Sequence, residues 1–391
     1  MSSRNFSLRL SLFNAVLFLG AGIQLPFLPL WLKDRSLSDA EVAIVVGLMM
    51  AVRIIGIPFG TFIADLTQRR RAVIIACAFG ATAAYLLLNV VAGFWPILIC
   101  GMLAAALLAP VVPLTEVLAV EGSAHYGLDY GRIRLWASLS FLSGSVAAGA
   151  LLELIPMHAV ILLIAGAQGA GALFTLLLPQ DRATRSARHA RLSPRAVLAT
   201  LAGGSFVVFM LAAGLGQASH GFLYAFGSVH YEALGYSKFT IGKLWAVGVL
   251  AEVLMFAFSN RFYRALGSVR LIMLGTGIAS LRWLMTGFEP PLLALFAIQA
   301  LHAASFGFTH LGTMHFIRER VPENMRNSAQ GVYSMFSSGV LMSSTMWASG
   351  LLYGALGGGA YFVMAGYAAV AFGFATLLML ISPRDQRAAG A

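Results

Sequence analysis

A few ionisable side chains stand inside long apolar runs, and their types suit the binding of charged groups and the exchange of protons. In the stretch 113–141, PLTEVLAVEGSAHYGLDYGRIRLWASLSF, Glu116 sits about a turn inside one apolar run, and Arg132 and Arg134 open the next. A short polar connection containing Gly122, Ser123, Gly127 and Asp129 lies between them. The two helices are expected to run antiparallel with their charged ends at one level, so that Glu116 faces Arg134. A carboxylate and a guanidinium at the edge of hydrocarbon are costly unless paired or wetted, which implies a salt bridge or a polar cavity. Arg53, Glu252, Arg282 and His302 each fall inside further apolar runs. A buried arginine keeps its charge and demands an acid, carbonyls or water, whereas histidine needs only a hydrogen bond when neutral. Arg282 and Glu252 lie in neighbouring runs, so one expectation is a static ion pair and the other is a pair that trades partners.

The elements that must position these groups follow from composition. Of 391 residues, 59% are hydrophobic and 10% charged, with 41 glycines and a mean hydropathy of +0.83. That much apolar surface cannot be hidden inside a water-soluble globule, so the chain reads as an all-α membrane protein. The net charge of +11 does not indicate nucleic acid, because the basic residues fall in short loops rather than on one solvated face. Cys77 and Cys100 both sit in apolar runs without ligand spacing, which predicts neither a disulfide framework nor a metal site.

Apolar runs of membrane-spanning length occur near 8–32, 40–64, 72–92, 95–120, 131–154, 158–178, 198–229, 238–259, 270–287, 292–316, 327–355 and 360–382, which makes twelve transmembrane helices. The first ends without a small-residue cleavage site and is expected to stay in the membrane. With both termini cytoplasmic, 20 Lys and Arg fall on the cytoplasmic side and 4 on the other, an asymmetry in phase with hydropathy. Residues 179–197 form a long basic linker, PQDRATRSARHARLSPR and its flanks, suited to anionic headgroups. It divides a six-helix bundle at 1–178 from a second at 198–391. The halves are related at an offset of about 195 residues, GTFIADLTQRRRAVI answering FSNRFYRALGSVRLI. A duplicated unit of this kind predicts two pseudo-symmetric bundles with a substrate path between them.

Twelve spans as six plus six, the basic central loop and the arginine-rich connections after spans two and eight resemble the major facilitator superfamily over the whole chain. The loop signature differs in spacing: Asp65 follows Gly60 by five positions and precedes Arg69, Arg70 and Arg71. QLPFLPLWL at 24–32, YGRIRLWASLSF at 130–141 and LWAVGVLAEVL at 244–254 resemble the phenylpropionate permease group. A more distant similarity is to oligosaccharide–proton symporters of the lactose-permease type. That resemblance places Glu116 and Arg134 on a sugar-binding acid and arginine, and Arg282 and His302 on a proton-coupling network. The glutamate expected three residues after that histidine is Ser305 here, so Glu252 is the expected proton carrier.

The resemblance implies a transporter working by alternating access, a proton-coupled symporter, in a bacterial inner membrane. Asp65, Arg69, Arg70, Arg261 and Arg264 are expected in gating loops. Because spans one, four, seven and ten line the path in such proteins, Asn14, Gln24, His220, Tyr224 and His310 join Glu116, Arg132 and Arg134 as expected substrate contacts. Trp136, like Trp245, is expected either to stack on a flat ligand or to anchor the membrane interface. A surplus of arginines favours a small carboxylate such as an arylpropionate. The Glu116–Arg134 pair equally suits the hydroxyls of a sugar or nucleoside, and a non-transporting receptor is a distant alternative. The chain has no G-x-S-x-G, no H-x-x-x-H and no paired cysteines, so no enzyme is expected. No cofactor beyond a proton gradient is expected. The expected partners are substrate, protons and membrane lipid, with the protein a monomer.

Overall fold

The computed structural model describes residues 3–128, 130–178 and 203–388, without the side chains of Ala124, Arg132 and 382–388. The linker at 179–197 lies outside the described residues. Helices occupy all twelve expected spans. They are α1 Ser3–Asp34, α2 Asp39–Thr67, α3 Arg70–Val90, α4 Phe94–Leu108 continued by Val111–Tyr126, α5 Tyr130–Leu151 and α6 Val160–Thr175. The second set is α7 Gly204–Ala233, α8 Lys238–Ala257, α9 Ser259–Gly287, α10 Leu292–Arg320, α11 at 326–356 and α12 Ala360–Ala388. The described residues contain no strand. A helix satisfies its backbone hydrogen bonds internally, which is what a hydrocarbon environment demands. By length and composition nine stretches among the described residues qualify as spans, of which Glu323–Ile381 holds two. The arginines in α5 and α9 lower the mean hydropathy of those two helices, which is why they do not qualify on composition.

Two boundaries differ from expectation. Helix α4 continues through Gly122 and Ser123 to Tyr126, so only 127–129 connects it to α5, and Asp129 lies outside the described residues. Gly127 ends α4 at φ +63, a left-handed conformation that favours glycine. The stretch after span eight, expected as a loop, is the first part of α9, bent at Gly267 with φ +71.

The repeat is visible in matched contacts. Arg70 at the start of α3 donates to both oxygens of Glu121 at 3.1 Å. Ser268 of α9 donates to Glu319 of α10 at 2.6 Å, and Tyr263 donates to the same carboxylate at 2.7 Å. Both members of the second pair stand 198 residues after their counterparts, which sharpens the expected offset.

The described residues pack as two compact units. The first comprises those of Met1–Ala183 together with Tyr224–Leu250, and the second those of Thr184–Leu223 and Ala251–Ala391. In the first, α1 crosses α5 so closely that a Cβ at Gly22 would collide with the Phe141 carbonyl oxygen, and Ser145 donates to the Gly22 carbonyl. Small residues allow this approach and the dispersion contact it brings. Part of the second six-helix set joins this unit by the same device: Gly242 of α8 lies on Ser145, and Gly149 lies on Lys238. Glu153 then accepts from the Phe239 amide at 3.1 Å, capping the start of α8. In the second unit α9 packs on α10 and α12, and α7 on α12. Its core includes Phe209 stacked on Phe316 at 4.3 Å between ring centres. Among the described residues π-helical turns occur at Leu223–Gly227, Ala303–Phe308 and Met335–Met342, all in the second half of the chain.

Candidate functional site

The polar groups gather in two places, one in each unit. In the first unit Arg134 Nε lies 3.5 Å from Glu116 Oε1, as the sequence led one to expect, with side chains 38% and 45% exposed respectively. The guanidinium rests 4.5 Å above the Phe18 ring of α1, a cation–π contact that fixes its plane. Tyr130, not singled out from sequence, interacts through its hydroxyl with both Glu116 and Arg134. Its signal was its position four residues before Arg134, one helical turn away. The Arg132 side chain lies outside the described residues. Gln24 accepts from the buried Tyr85 hydroxyl at 2.8 Å, and Asn14 is buried in α1. Arg53 is exposed just after Val52, where the helical assignment of α2 is interrupted between Ala51 and Arg53, with a contact from its Nη1 to Met50 Sδ at 3.9 Å. Tyr224 stacks on Trp245 at 6.0 Å, and Trp245 donates to Ser228 at 2.9 Å. Trp136 is exposed.

The second unit holds a buried network. Arg282 is 1% exposed and donates to Gln299 Oε1 at 2.7 Å, to Ser305 Oγ at 3.1 Å and to His302 Nδ1 at 3.1 Å. Gln299, His302 and Ser305 are spaced by three residues, so one face of α10 presents all three acceptors. The guanidinium also lies 4.4 Å over Trp283, whose indole donates to Ser219 at 3.0 Å. His302 Nε2 stands 3.3 Å from Glu252 Oε2 of α8. The expected link between Glu252 and Arg282 therefore runs through an imidazole. A cation held this deeply requires both acceptors and a compensating charge, and Glu252 supplies the charge across the ring.

His220, expected to touch substrate, is fully buried. Its Nδ1 meets the Gln217 carbonyl at 3.1 Å and its Nε2 meets Ser305 Oγ at 3.2 Å, so it braces the network instead. His310 is half-buried one turn below Phe306, with ring planes 6° apart at 6.0 Å, and edge-on to Phe256. Gln299, Gln217 and Ser219 were missed from sequence. The period of three between Gln299, His302 and Ser305 across an apolar helix was the available signal.

Of the expected gating residues, Asp65 and Arg69 are exposed, and Arg70 is paired with Glu121. Arg261 and Arg264 line an open cleft with Phe258 and Asn260. No group of metal-ligating side chains occurs among the described residues.

Comparison with known proteins bears on what such sites do. The model of the MFS_1 like family matches residues 7–364. A probable 3-phenylpropionic acid transporter of Escherichia coli (strain K12) is 29% identical over 359 residues, covering 89% of this chain and 91% of that one. The maltose permease of Geobacillus stearothermophilus is 25% identical over 336 residues, 84% of this chain and 83% of that one. The crystal structure of nucleoside transporter NupG superposes with a TM-score of 0.83 at 17% identity, covering 96% of this chain and 99% of that one.

Proposed function

The chain belongs to the MFS_1-like family of major facilitator transporters, which are not enzymes, and on that premise we propose that it carries a small organic acid of the arylpropionate class inward together with a proton, by alternating access. The observation that carries the choice of cargo is Arg134. It is a cation inside an apolar helix, held in plane by Phe18 and still 38% exposed. A guanidinium in that state offers parallel N–H donors to an incoming carboxylate. The relative named for 3-phenylpropionic acid supports the same class. Glu116 and Tyr130 then serve to hold Arg134 between turnovers, with Asn14, Gln24, Tyr224, Trp136 and His310 as further substrate contacts.

Glu252 is the proposed proton carrier, with Arg282 and His302 setting its proton affinity. Each charge moved with the membrane potential contributes about 2.3 kcal/mol per 100 mV to accumulation. Asp65, Arg69, Arg70, Arg261 and Arg264 are assigned to gating, and Arg132 and the basic linker to the arginine-rich face. That distribution of arginines supports a bacterial inner membrane location with both termini cytoplasmic. The protein acts as a monomer in this reading, drawing on the proton gradient alone.

Membrane vesicles loaded by an imposed proton gradient test this. Labelled 3-phenylpropionate is expected to accumulate, with Arg134→Gln abolishing uptake and Glu252→Gln abolishing accumulation while exchange persists. Accumulation in Glu252→Gln at the wild-type level refutes the coupling. A second reading, a sugar or nucleoside, is favoured by the carboxylate of Glu116, which accepts from hydroxyls that Arg134 cannot. Competition by maltose or uridine, and none by 3-phenylpropionate, selects it.

A further inference from the structure

We propose that His302 is held neutral with its proton on Nε2, that Arg282 is the positioning residue that keeps it so, and that the transported proton is therefore loaded and released at Glu252 without passing along the buried histidines. This deepens the proton-coupled reading above and rests on it for the last clause only.

The argument follows donors and acceptors from one end of the network to the other. A carbonyl oxygen only accepts, so His220 Nδ1, 3.1 Å from the Gln217 oxygen, carries the ring proton. In the neutral ring His220 Nε2 is then bare, and Ser305 Oγ at 3.2 Å donates to it. The remaining lone pairs of Ser305 are left to accept, which suits Arg282 Nη1 at 3.1 Å. That nitrogen also lies 3.1 Å from His302 Nδ1, and a guanidinium has no lone pair to offer. His302 Nδ1 is therefore the acceptor, its proton sits on Nε2, and Nε2 donates to Glu252 Oε2 at 3.3 Å.

The alternatives fail at specific atoms. A His220 proton on Nε2 leaves its Nδ1 lone pair against the Gln217 oxygen. A second proton on His302 has to sit on Nδ1, pointing at an N–H of Arg282, with two positive charges in a site almost without solvent. Arginine does not release its protons, so Arg282 interrupts any relay between the two histidines. Ser305 does not titrate, so the position one turn beyond His302 takes no proton either. Glu252 remains: its side chain is 22% exposed against 11% for His302. It faces His302 and His310 of α10. Arg282 of α9 is linked to it through His302, and His220 of α7 through Ser305 and Arg282. On loading, a proton from water forms one O–H bond on the Glu252 carboxylate, and His302 Nε2–H goes on donating to the other oxygen. Release reverses that single bond.

The test is nitrogen-15 NMR of the purified full-length protein labelled at histidine, in lipid nanodiscs without substrate. The signals are assigned by their loss in His302→Gln and His220→Asn, and by difference in Ser305→Ala should either fail to fold. His220 is expected as the Nδ1–H form and His302 as the Nε2–H form, both unchanged on either side of neutral pH. Ser305→Ala is expected to shift the His220 Nε2 signal, which loses its donor, while the ring stays in the Nδ1–H form because the Gln217 carbonyl still accepts from it. An imidazolium at His302, or its proton on Nδ1, overturns the proposal. In vesicles, His302→Gln keeps a donor at the Nε2 position and cannot be protonated, so slowed but still uphill accumulation of 3-phenylpropionate is expected. Loss of accumulation with exchange retained overturns the assignment to Glu252. If wild-type uptake moves no proton, the transport reading falls and takes only that last clause with it, because the ring forms are read without substrate.

Discussion

Glu116–Arg134 and Glu252–His302–Arg282 are both acid and base partners set in apolar helices, and their surroundings divide them. Arg134 is 38% exposed and has a ring below it, whereas Arg282 is 1% exposed and has three side-chain acceptors around it. A half-exposed guanidinium can exchange its carboxylate for water or for a ligand at little cost. A buried one cannot lose an acceptor without leaving a charge desolvated. Exposure, rather than residue type, thus decides which ion pair is open to exchange partners and which is locked in its surroundings.

The largest expected effect that sharpens this contrast comes from Arg282→Ala. It strips the donor from Gln299, Ser305 and His302 and leaves Glu252 without its compensating cation, so a loss of about 3–5 kcal/mol is expected. Thermal unfolding of the purified protein measures it, and an unchanged Tm breaks the comparison. Next is Gln299→Leu, which removes the 2.7 Å acceptor of Arg282 and is expected to cost about 1–3 kcal/mol by the same measurement. Arg134→Gln is expected to leave stability within about 1 kcal/mol, as for other exposed pairs. Its affinity for a carboxylate should fall roughly 10- to 150-fold on loss of a charged hydrogen bond. A Tm drop for Arg134→Gln as large as that for Arg282→Ala would erase the distinction. The smallest effect is expected for Glu121→Gln, whose exposed pair with Arg70 is worth less than about 1 kcal/mol. Glu319→Gln makes the matching test in the second repeat, where two hydroxyls replace the arginine.

Much of the fold was legible because hydrocarbon imposes a simple rule on each span. The twelve runs correspond to twelve helices among the described residues, α5 and α9 included, although their arginines lower the mean hydropathy of those two. The ends were read less well. Gly122 and Ser123 look like a loop by residue type, yet α4 runs on to Tyr126, because the packing of the Phe6 ring directly on Gly122 outweighs the poor helix propensity of glycine. The Glu116–Arg134 pair was readable since its two helices are consecutive and the connection is short. The Arg282 network was read only in part. Its charged members stand out in apolar sequence, but Gln299, Ser305 and Gln217 do not, and nothing local says that His220 turns inward rather than toward a ligand.

What the sequence by itself determined is the class of molecule, the number of spans and the identity of the charges inside them. Those follow from transfer free energies that add residue by residue along the chain. Only the tertiary structure decided which of those charges share a neighbourhood, which are buried and which partners each imidazole meets. These depend on the rotation of each helix about its axis and on contacts between residues as far apart as His220 and Ser305.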